Sequence, residues 1–283
     1  MIEQNYTNKS SFLTQTTTFI LLFVSVVFFS CSSSDDNNPD WELVWSDEFD
    51  GEAGSSLDLS KWNFEIGTGN NGWGNGERQY YTDRTENASL DGEGNLVITA
   101  KEENYEGSNY TSARITTQNK LEFTYGRIEA RLKTPFGQGL WPAFWLLGIP
   151  MEGQIWPEIG EIDVMELRGQ APSVVASTLH GPGYSAGNGI SKDYRLNDSR
   201  FDTEFHVFAA EWFENKINFF VDGVFYHSIK KEDIENRGNE WVYNDPFFLI
   251  LNVAVGGGYV GPPNSSTRFP QSMTIDYVRV YSE

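Results

Sequence analysis

The fold is decided by residues 156–169, whose sequence is WPEIGEIDVMELRG. Its proline, its internal glycine and three β-branched residues disfavour a helix, so we predict a strand whose side chains point alternately to two faces. Glu161 and Asp163 then share one face. Glu166 has the opposite parity, and simple alternation would bury its carboxylate in the core at a cost of several kcal/mol, about the penalty for an unpaired polar group.

A β-bulge near Val164 and Met165 resolves this conflict. One extra residue returns Glu166 to the face of Glu161 and Asp163, and bulges often re-aim side chains beside active sites. Three carboxylates on one face repel each other, so at least one holds its proton at neutral pH while another stays ionised. The stretch therefore predicts an acid beside a base. The alternative is a solvated edge strand with incidental charges.

Composition indicates a globular chain without affinity for nucleic acid. The 283 residues include 15% aromatic residues, which is ample core material and too high for a disordered chain. The formal net charge of -20 would repel phosphates. The charge does not by itself identify a substrate.

The N-terminus predicts export. An apolar run at residues 19–29 follows a polar start and is too short to span a bilayer comfortably, so we assign residues 1–30 as an export signal. Cys31 is the only cysteine, which rules out an intramolecular disulfide, and its position resembles the lipidation site of a bacterial lipoprotein. Residues 31–38 then form the lipidated cysteine and a flexible tether. An ordinary secretory signal with a chance cysteine is the alternative.

We therefore expect the protein at the bacterial cell surface, attached to the membrane only through a lipid, or otherwise in the periplasm or secreted. From residue 39 to 283 we predict one domain, because no repeat or linker interrupts it. Residues 127–133 alternate with period two, Asp222-Gly223 signals a hairpin, and residues 247–255 are almost uniformly apolar. These patterns predict an all-β fold, a concanavalin-like jelly-roll β-sandwich of two antiparallel sheets.

Paired carboxylates beside tryptophans suit glycoside hydrolysis, in which a retaining enzyme holds two carboxyls about 5 to 5.5 Å apart. The sequence GEIDVME at 160–166 resembles the active-site signature of glycoside hydrolase family 16, in the bulged version of its β-1,3-glucanases, the laminarinases. The resemblance covers most of the chain after the signal. It extends to WSDEF at 45–49, GWGNGE at 72–77, QYY at 79–81, GLWPAFW at 139–145, NVAVGG at 252–257 and DYVRVY at 276–281.

The resemblance implies retaining endo-hydrolysis of a neutral β-1,3-glucan by a monomer, with no catalytic cofactor. Glu161 would be the nucleophile, Glu166 the general acid and then base, and Asp163 the residue that hydrogen-bonds and tunes Glu161. Alternatives within the fold are a mixed-linkage β-glucanase or a galactan hydrolase, although sulfated galactans would want more basic residues near the motif than Arg168. A non-catalytic surface glycan-binding lipoprotein would not need three repelling carboxylates.

The resemblance also implies sugar-binding residues. Trp141, Trp145 and Trp156 would stack on sugar rings on the glycone side, since the apolar faces of glucose pack on indole. Core packing is the alternative for each, and it applies most to Trp145 within its apolar segment.

Three further residues resemble cleft residues of the family. His180 matches a histidine near the catalytic pair, while Asn75 and Arg114 match glycone-side hydrogen-bonding residues. The alternatives are a surface or satisfied core histidine, a solvated loop residue and a local ion pair.

Acidic residues near the two ends of the domain suggest a cation site, because calcium binds oxygen ligands. They are Asp47, Glu48, Asp50 and Asp276. The resemblance implies a structural calcium away from the cleft, held by Glu48, Asp276 and a backbone carbonyl near Gly92. Without the resemblance this cluster is surface acidity.

Overall fold

The computed structural model describes residues 39–150 and 153–283, and residues 39–283 form one compact unit. The predicted export signal, Cys31 and the tether lie outside the described residues. Strands dominate the described part of the chain, in which no helix is long and apolar enough to cross a membrane. The predicted all-β fold is confirmed. The strands are β1 Glu42–Asp47, β2 Asn63–Phe64, β3 Gln79–Tyr81, β4 Ala88–Leu90, β5 Leu96–Tyr105, β6 Ser108–Ser112, β7 Arg114–Thr116, β8 Gly126–Lys133, β9 Leu140–Gly148, β10 Glu161–Leu167, β11 Val174–His180, β12 Ile190–Arg195, β13 His206–Phe213, β14 Lys216–Val221, β15 Val224–Lys230, β16 Phe247–Val255 and β17 Gln271–Ser282, with one short α-helix, α1 Lys231–Glu235, among the described residues.

The strands form two sheets, which we call the cleft sheet and the rear sheet. The cleft sheet has the order β12-β11-β10-β9-β16-β7-β2. The rear sheet has the order β15-β14-β13-β8-β17-β5-β6-β3, with β1 paired to β17 and β4 to β5. Pairing between these strands is antiparallel except for β3 with β6. This is the predicted jelly-roll sandwich, with β10 near the middle of one sheet.

The core lies between the two sheets. All nine residues of β16 are buried, as predicted from their uniform apolarity, because the strand is covered on both faces. In β8 the alternating residues Ile128, Ala130 and Leu132 are fully buried. Burial of each large apolar side chain stabilises the fold by roughly 1.5–3 kcal/mol. The predicted hairpin at Asp222-Gly223 joins β14 to β15.

The predicted bulge in β10 is confirmed. Relative to β11, Asp163 lies opposite Thr178 while Glu166 lies opposite Ala176, so three steps on β10 match two on β11. The register with β9 shifts at the same place. Val164 and Met165 are both buried. The extra residue therefore turns two consecutive side chains into the core and restores Glu166 to the outer face.

Candidate active site

Three carboxylates line the outer face of β10, in the middle of the cleft sheet. Asp163 is 2% exposed, and Glu161 and Glu166 are half-buried on either side of it. The neighbouring strands place His180 opposite Glu161 and Trp145 opposite Asp163, and register partners share a face. The structure therefore brings together the three carboxylates, the histidine and a tryptophan that the sequence singled out.

Glu161 and Glu166 each accept a hydrogen bond from a tryptophan. Trp156, in the loop before β10, donates from Nε1 to Glu161 Oε2 at 2.8 Å. Trp141, on β9, donates from Nε1 to Glu166 Oε1 at 2.9 Å. Indole N–H groups donate only, so each bond favours the ionised carboxylate and fixes its orientation.

Asp163 and His180 complete the cluster. His180 Nε2 lies 3.1 Å from Asp163 Oδ2 and 3.7 Å from Glu161 Oε1. The 3.1 Å contact is not aligned as a hydrogen bond, because Asp163 Oδ2 has no hydrogen-bond partner. The backbone of β11 is fixed here by Tyr243, whose hydroxyl donates to the His180 carbonyl at 2.9 Å.

All three carboxyl groups hold protons more tightly than free carboxyls. Burial raises the pKa of Glu161 to about 8, and the charge of Asp163 adds to the effect. Burial and then the charge of Glu161 raise the pKa of Glu166 to about 7. The pKa of Asp163 lies well above its usual range, from burial and then the charge of Glu166.

Asp163 is the carboxyl best placed to carry a proton at neutral pH, because it is the most buried of the three. Its side chain lies close to that of Glu161, and the interaction between them raises the pKa of Glu161 while partly offsetting the rise for Asp163. When Asp163 is protonated, its charge no longer opposes the ionisation of Glu161. The cluster can therefore hold Glu161 ionised, although the three carboxylates together retain protons.

The side of the cleft around Trp145 is a hydrogen-bonded network. Trp145 Nε1 donates to Asn252 Oδ1 at 2.8 Å, and Asn252 Nδ2 donates to the Tyr81 hydroxyl at 3.1 Å. That hydroxyl in turn donates to Glu77 Oε2 at 3.1 Å. These bonds fix Trp145 to the sheet, which agrees with the prediction that its role is partly structural. Only part of its side chain is open to a ligand.

Arg114 lies in the same region, on β7 opposite Asn252. Its guanidinium carbon lies 4.4 Å from the ring centroid of Trp73 and 4.8 Å from that of Trp145. It also forms an ion pair with Glu65. Arg114 therefore holds two aromatic rings in place, a local role that the sequence left as the alternative to sugar binding.

Asn75 is hydrogen-bonded to a further carboxylate, Glu77. Its Nδ2 donates to Glu77 Oε1 at 3.2 Å in an exposed turn, and Gln79 Nε2 donates to Glu77 Oε2 at 2.7 Å. Burial raises the pKa of Glu77, so this side chain also lies in a poorly solvated position.

Sequence analysis missed four residues of the cleft. Asn252 was detectable, because it is the one polar residue in the apolar run of β16, and Glu77 falls within a motif already quoted. Glu65 gave no local signal. Tyr259 also gave none, yet its ring centroid lies 5.1 Å from that of Trp141.

The proposed calcium ligands have arginine partners. Glu48 accepts two hydrogen bonds from Arg279, at 2.9 and 2.8 Å, and Asp276 is paired with Arg131. The hydrogen bonds from Arg279 hold the pKa of Glu48 below its usual range. As paired in the structure, these two carboxylates do not fit a calcium ion through their side chains.

Two other oxygens, one from a side chain and one from the backbone, face a common space nearby. A Cβ added at Gly94 would lie 3.9 Å from Asp50 Oδ1 and 4.0 Å from the Glu48 carbonyl oxygen, so two oxygens face a space that a side chain would fill. Gly92 packs against Ala53. Calcium binding in this region stays a prediction.

The chain is similar in sequence to known proteins of one family. A profile described as "Glycosyl hydrolases family 16" matches residues 75–279. The chain is 41% identical over 276 residues to a beta-glucanase of Rhodothermus marinus, covering 95% of each chain. It is 37% identical to glucan endo-1,3-beta-glucosidase A1 of Niallia circulans, covering 85% of this chain and 38% of that longer protein.

Solved structures agree with this result. The laminarinase catalytic domain of Thermotoga maritima MSB8 superposes with a TM-score of 0.81 at 49% identity, over 87% of this chain and 99% of that one. The laminarinase of Rhodothermus marinus gives a TM-score of 0.79 at 42% identity, over 86% and 98%. Both the sequence and the fold are therefore shared with glucan-cleaving enzymes.

Proposed function

The chain belongs to glycosyl hydrolase family 16, and from that premise we propose that it cleaves internal bonds of β-1,3-glucan with retention of the anomeric configuration. One observation carries the proposal. The bulge in β10 sets Glu161 and Glu166 on one face, and a tryptophan N–H fixes each of them. Within the described residues, the one ion pair that either forms is that of Glu161 with His180.

In the first step Glu166 gives its proton to the glycosidic oxygen while Glu161 attacks the anomeric carbon. The bond to the leaving sugar breaks, and a covalent glycosyl ester forms on Glu161. In the second step Glu166, now ionised, removes a proton from water, whose oxygen attacks the anomeric carbon and releases Glu161. Two inversions give net retention.

The raised pKa of Glu166 suits the acid, whereas the pKa of Glu161, at about 8, must fall for Glu161 to act as nucleophile. Glu166, with a pKa of about 7, is partly protonated at neutral pH and can act as acid and then base. Glu161 needs to be ionised to attack, and the N–H of Trp156 together with a protonated Asp163 favours that state. His180 lies close enough to carry positive charge beside Glu161 and Asp163 when it is protonated.

A neutral glucan suits the cleft better than a sulfated galactan. Arg114 is paired with Glu65 and is not available to bind a sulfate, which leaves Arg168, stacked on the Tyr259 ring at 5.0 Å, as the one cation near the motif that the sequence singled out. Mixed-linkage β-glucan remains the second candidate substrate, because the tryptophans recognise glucose rings rather than the linkage between them. A non-catalytic binder gains nothing from raising the pKa of three carboxyls.

The proposal is tested by following products in real time. Laminarin, barley mixed-linkage glucan, agarose and carrageenan are incubated separately, and proton NMR identifies the first anomer released. We expect internal cleavage of laminarin with the β-anomer first, before mutarotation. Release of the α-anomer first would contradict retention, and binding of laminarin without cleavage would favour the glycan-binding protein.

We also propose that the protein is exported and anchored by a lipid on Cys31. Support comes from the apolar run at residues 19–29 and the cysteine two residues after its end. Radiolabelled palmitate should enter the wild-type protein and not Cys31→Ser. Label in neither protein would leave an unlipidated, secreted enzyme.

A structural calcium near Gly94 is a further proposal, supported by the two oxygens that face this glycine. Those oxygens, rather than the carboxylates held by Arg279 and Arg131, would be the ligands. Chelator should lower the melting temperature without changing activity at low temperature, and added calcium should restore it. An unchanged melting temperature would remove the proposal.

A further inference from the structure

We propose that Glu161, Asp163 and His180 bind one divalent transition ion of the zinc type, and that the bound ion blocks hydrolysis. Each side chain offers one ligand atom, and the three atoms lie within 4.8 Å of one another. The blocking of hydrolysis rests on the proposed function, whereas the binding of the ion does not.

The spacing of the three atoms suits a small ion. His180 Nε2 lies 3.1 Å from Asp163 Oδ2 and 3.7 Å from Glu161 Oε1. In a tetrahedral zinc site with bonds of about 2.0–2.1 Å, neighbouring ligand atoms lie about 3.3–3.4 Å apart. The two distances from His180 lie on either side of that value, within a few tenths of an ångström of it.

An unsatisfied oxygen points into the same place. Asp163 is 2% exposed, and its Oδ2 has no hydrogen-bond partner. Buried polar atoms in folded proteins nearly always have a partner, and one without is a frequent sign of a missing water or ion. A cation between Asp163 Oδ2 and His180 Nε2 would give Asp163 Oδ2 the partner it lacks.

The chemistry of the ligands selects the class of ion. One imidazole nitrogen and two carboxylate oxygens suit Zn²⁺, Co²⁺, Ni²⁺ or Cu²⁺. Calcium prefers six to eight oxygens, and magnesium keeps most of its waters, so neither fits this set. The side chain of Glu161 is 18% exposed against 3% for Asp163, which leaves the fourth position on the open side of the cleft.

The ion would compete with substrate. It would engage the oxygens of the proposed nucleophile, Glu161, and of the neighbouring Asp163. We expect reversible rather than permanent binding, because His180 Nδ1 lacks the hydrogen-bond partner that normally orients a metal-bound histidine. The enzyme would therefore lose activity as the ion accumulates and regain it when the ion is removed.

The chain offers a matched control. Of its three histidines, His206 is also buried beside a carboxylate, with Nδ1 2.7 Å from Asp222 Oδ2, but it faces that one carboxylate alone. His206→Gln should leave zinc affinity unchanged. His180→Gln and Asp163→Asn should each raise the zinc Kd at least about tenfold, the usual effect of disturbing a metal site.

The test uses the untagged full chain carrying Cys31→Ser, so that its one thiol cannot bind the ion. Calorimetric titration with Zn²⁺ gives stoichiometry and Kd, Co²⁺ reports tetrahedral geometry by its visible absorption, and circular dichroism checks that each variant is folded. We expect one ion per chain, weaker binding when laminari-oligosaccharide is present, and hydrolysis that falls with occupancy and returns with a zinc-selective chelator.

Equal zinc affinity in the wild type and His180→Gln, or no binding to either, would overturn the proposal. Full hydrolysis at saturating zinc would overturn its inhibitory half. Absence of any glucan cleavage would instead count against the proposed function, because the titrations still report on the metal site.

Discussion

The acidic residues of the rear sheet and those of the cleft sheet occupy opposite environments. On the rear sheet, Glu129 and Glu211 both accept hydrogen bonds from Arg127, at 2.9 and 3.0 Å. On the cleft sheet, Glu161 and Glu166 have tryptophan N–H donors and no lysine or arginine partner within the described residues. The same residue type, on strands of the same sandwich, is neutralised by a neighbour in one sheet and by protons in the other.

The difference separates structural from chemical carboxylates. A group whose pKa is raised in the folded protein favours folding at low pH, so this stability is lost as pH rises through about 7 for Glu166 and about 8 for Glu161. Glu48, whose pKa is lowered by Arg279, contributes stability that is lost only as pH falls. The cleft therefore costs stability at the pH where it would work, as expected of a functional site.

The largest expected effect follows from substitution of the cleft carboxylates. Glu161→Gln and Glu166→Gln should each lower kcat on laminarin by roughly 10⁴-fold or more, because each removes a group that reacts. Their melting temperature at neutral pH should equal or exceed that of the wild type. Glu129→Gln is the matched control, which should keep kcat. A catalytic variant that retains a tenth of the activity would contradict the assignment.

The next largest effect follows from removal of the arginine that pairs with the carboxylates of the rear sheet. Arg127→Ala leaves Glu129 and Glu211 buried without their cation, and removal of one partner of a buried pair costs about 3–5 kcal/mol. Urea unfolding should show this loss, while kcat per folded molecule stays unchanged. Arg279→Ala, which breaks the more exposed pair with Glu48, should cost at most about 1 kcal/mol. Equal losses in both variants would show that burial does not govern these pairs.

The smallest effect follows from removal of a tryptophan N–H donor in the cleft. Trp156→Phe keeps an aromatic ring but removes the N–H that favours ionised Glu161, so the pKa of Glu161 should rise. The acidic limb of the kcat/KM profile should move to higher pH, with a loss of about tenfold at neutral pH, in line with a hydrogen bond to a charged group. Trp145→Phe, which loses a bond to Asn252 instead, should leave that limb in place. If both variants move the limb equally, the effect comes from packing.

The sequence predicted those features that depend on local parity. The position of Glu166 conflicted with alternation, and that conflict alone located the bulge. The uniform apolarity of residues 247–255 likewise predicted a strand covered on both faces.

Contacts between distant parts of the chain were not predictable. Glu48 and Arg279 are 231 residues apart, and Arg114 and Glu65 are 49 apart, so no local pattern connects them. For Glu48 this mattered, because the side chain assigned to calcium is held by an arginine. A sequence shows which residues carry a carboxylate, but not which distant residue pairs with each of them in the fold.

The bulge has a consequence for how this strand can change over generations. Because β10 counts one residue more than its neighbours between Asp163 and Glu166, deletion of a single codon there would turn the acid toward the core without altering any other residue of the cleft. Substitutions at Val164 or Met165 change only packing. In this strand, loss of one residue between Asp163 and Glu166 would therefore remove the acid from the cleft as effectively as substitution of Glu166 itself.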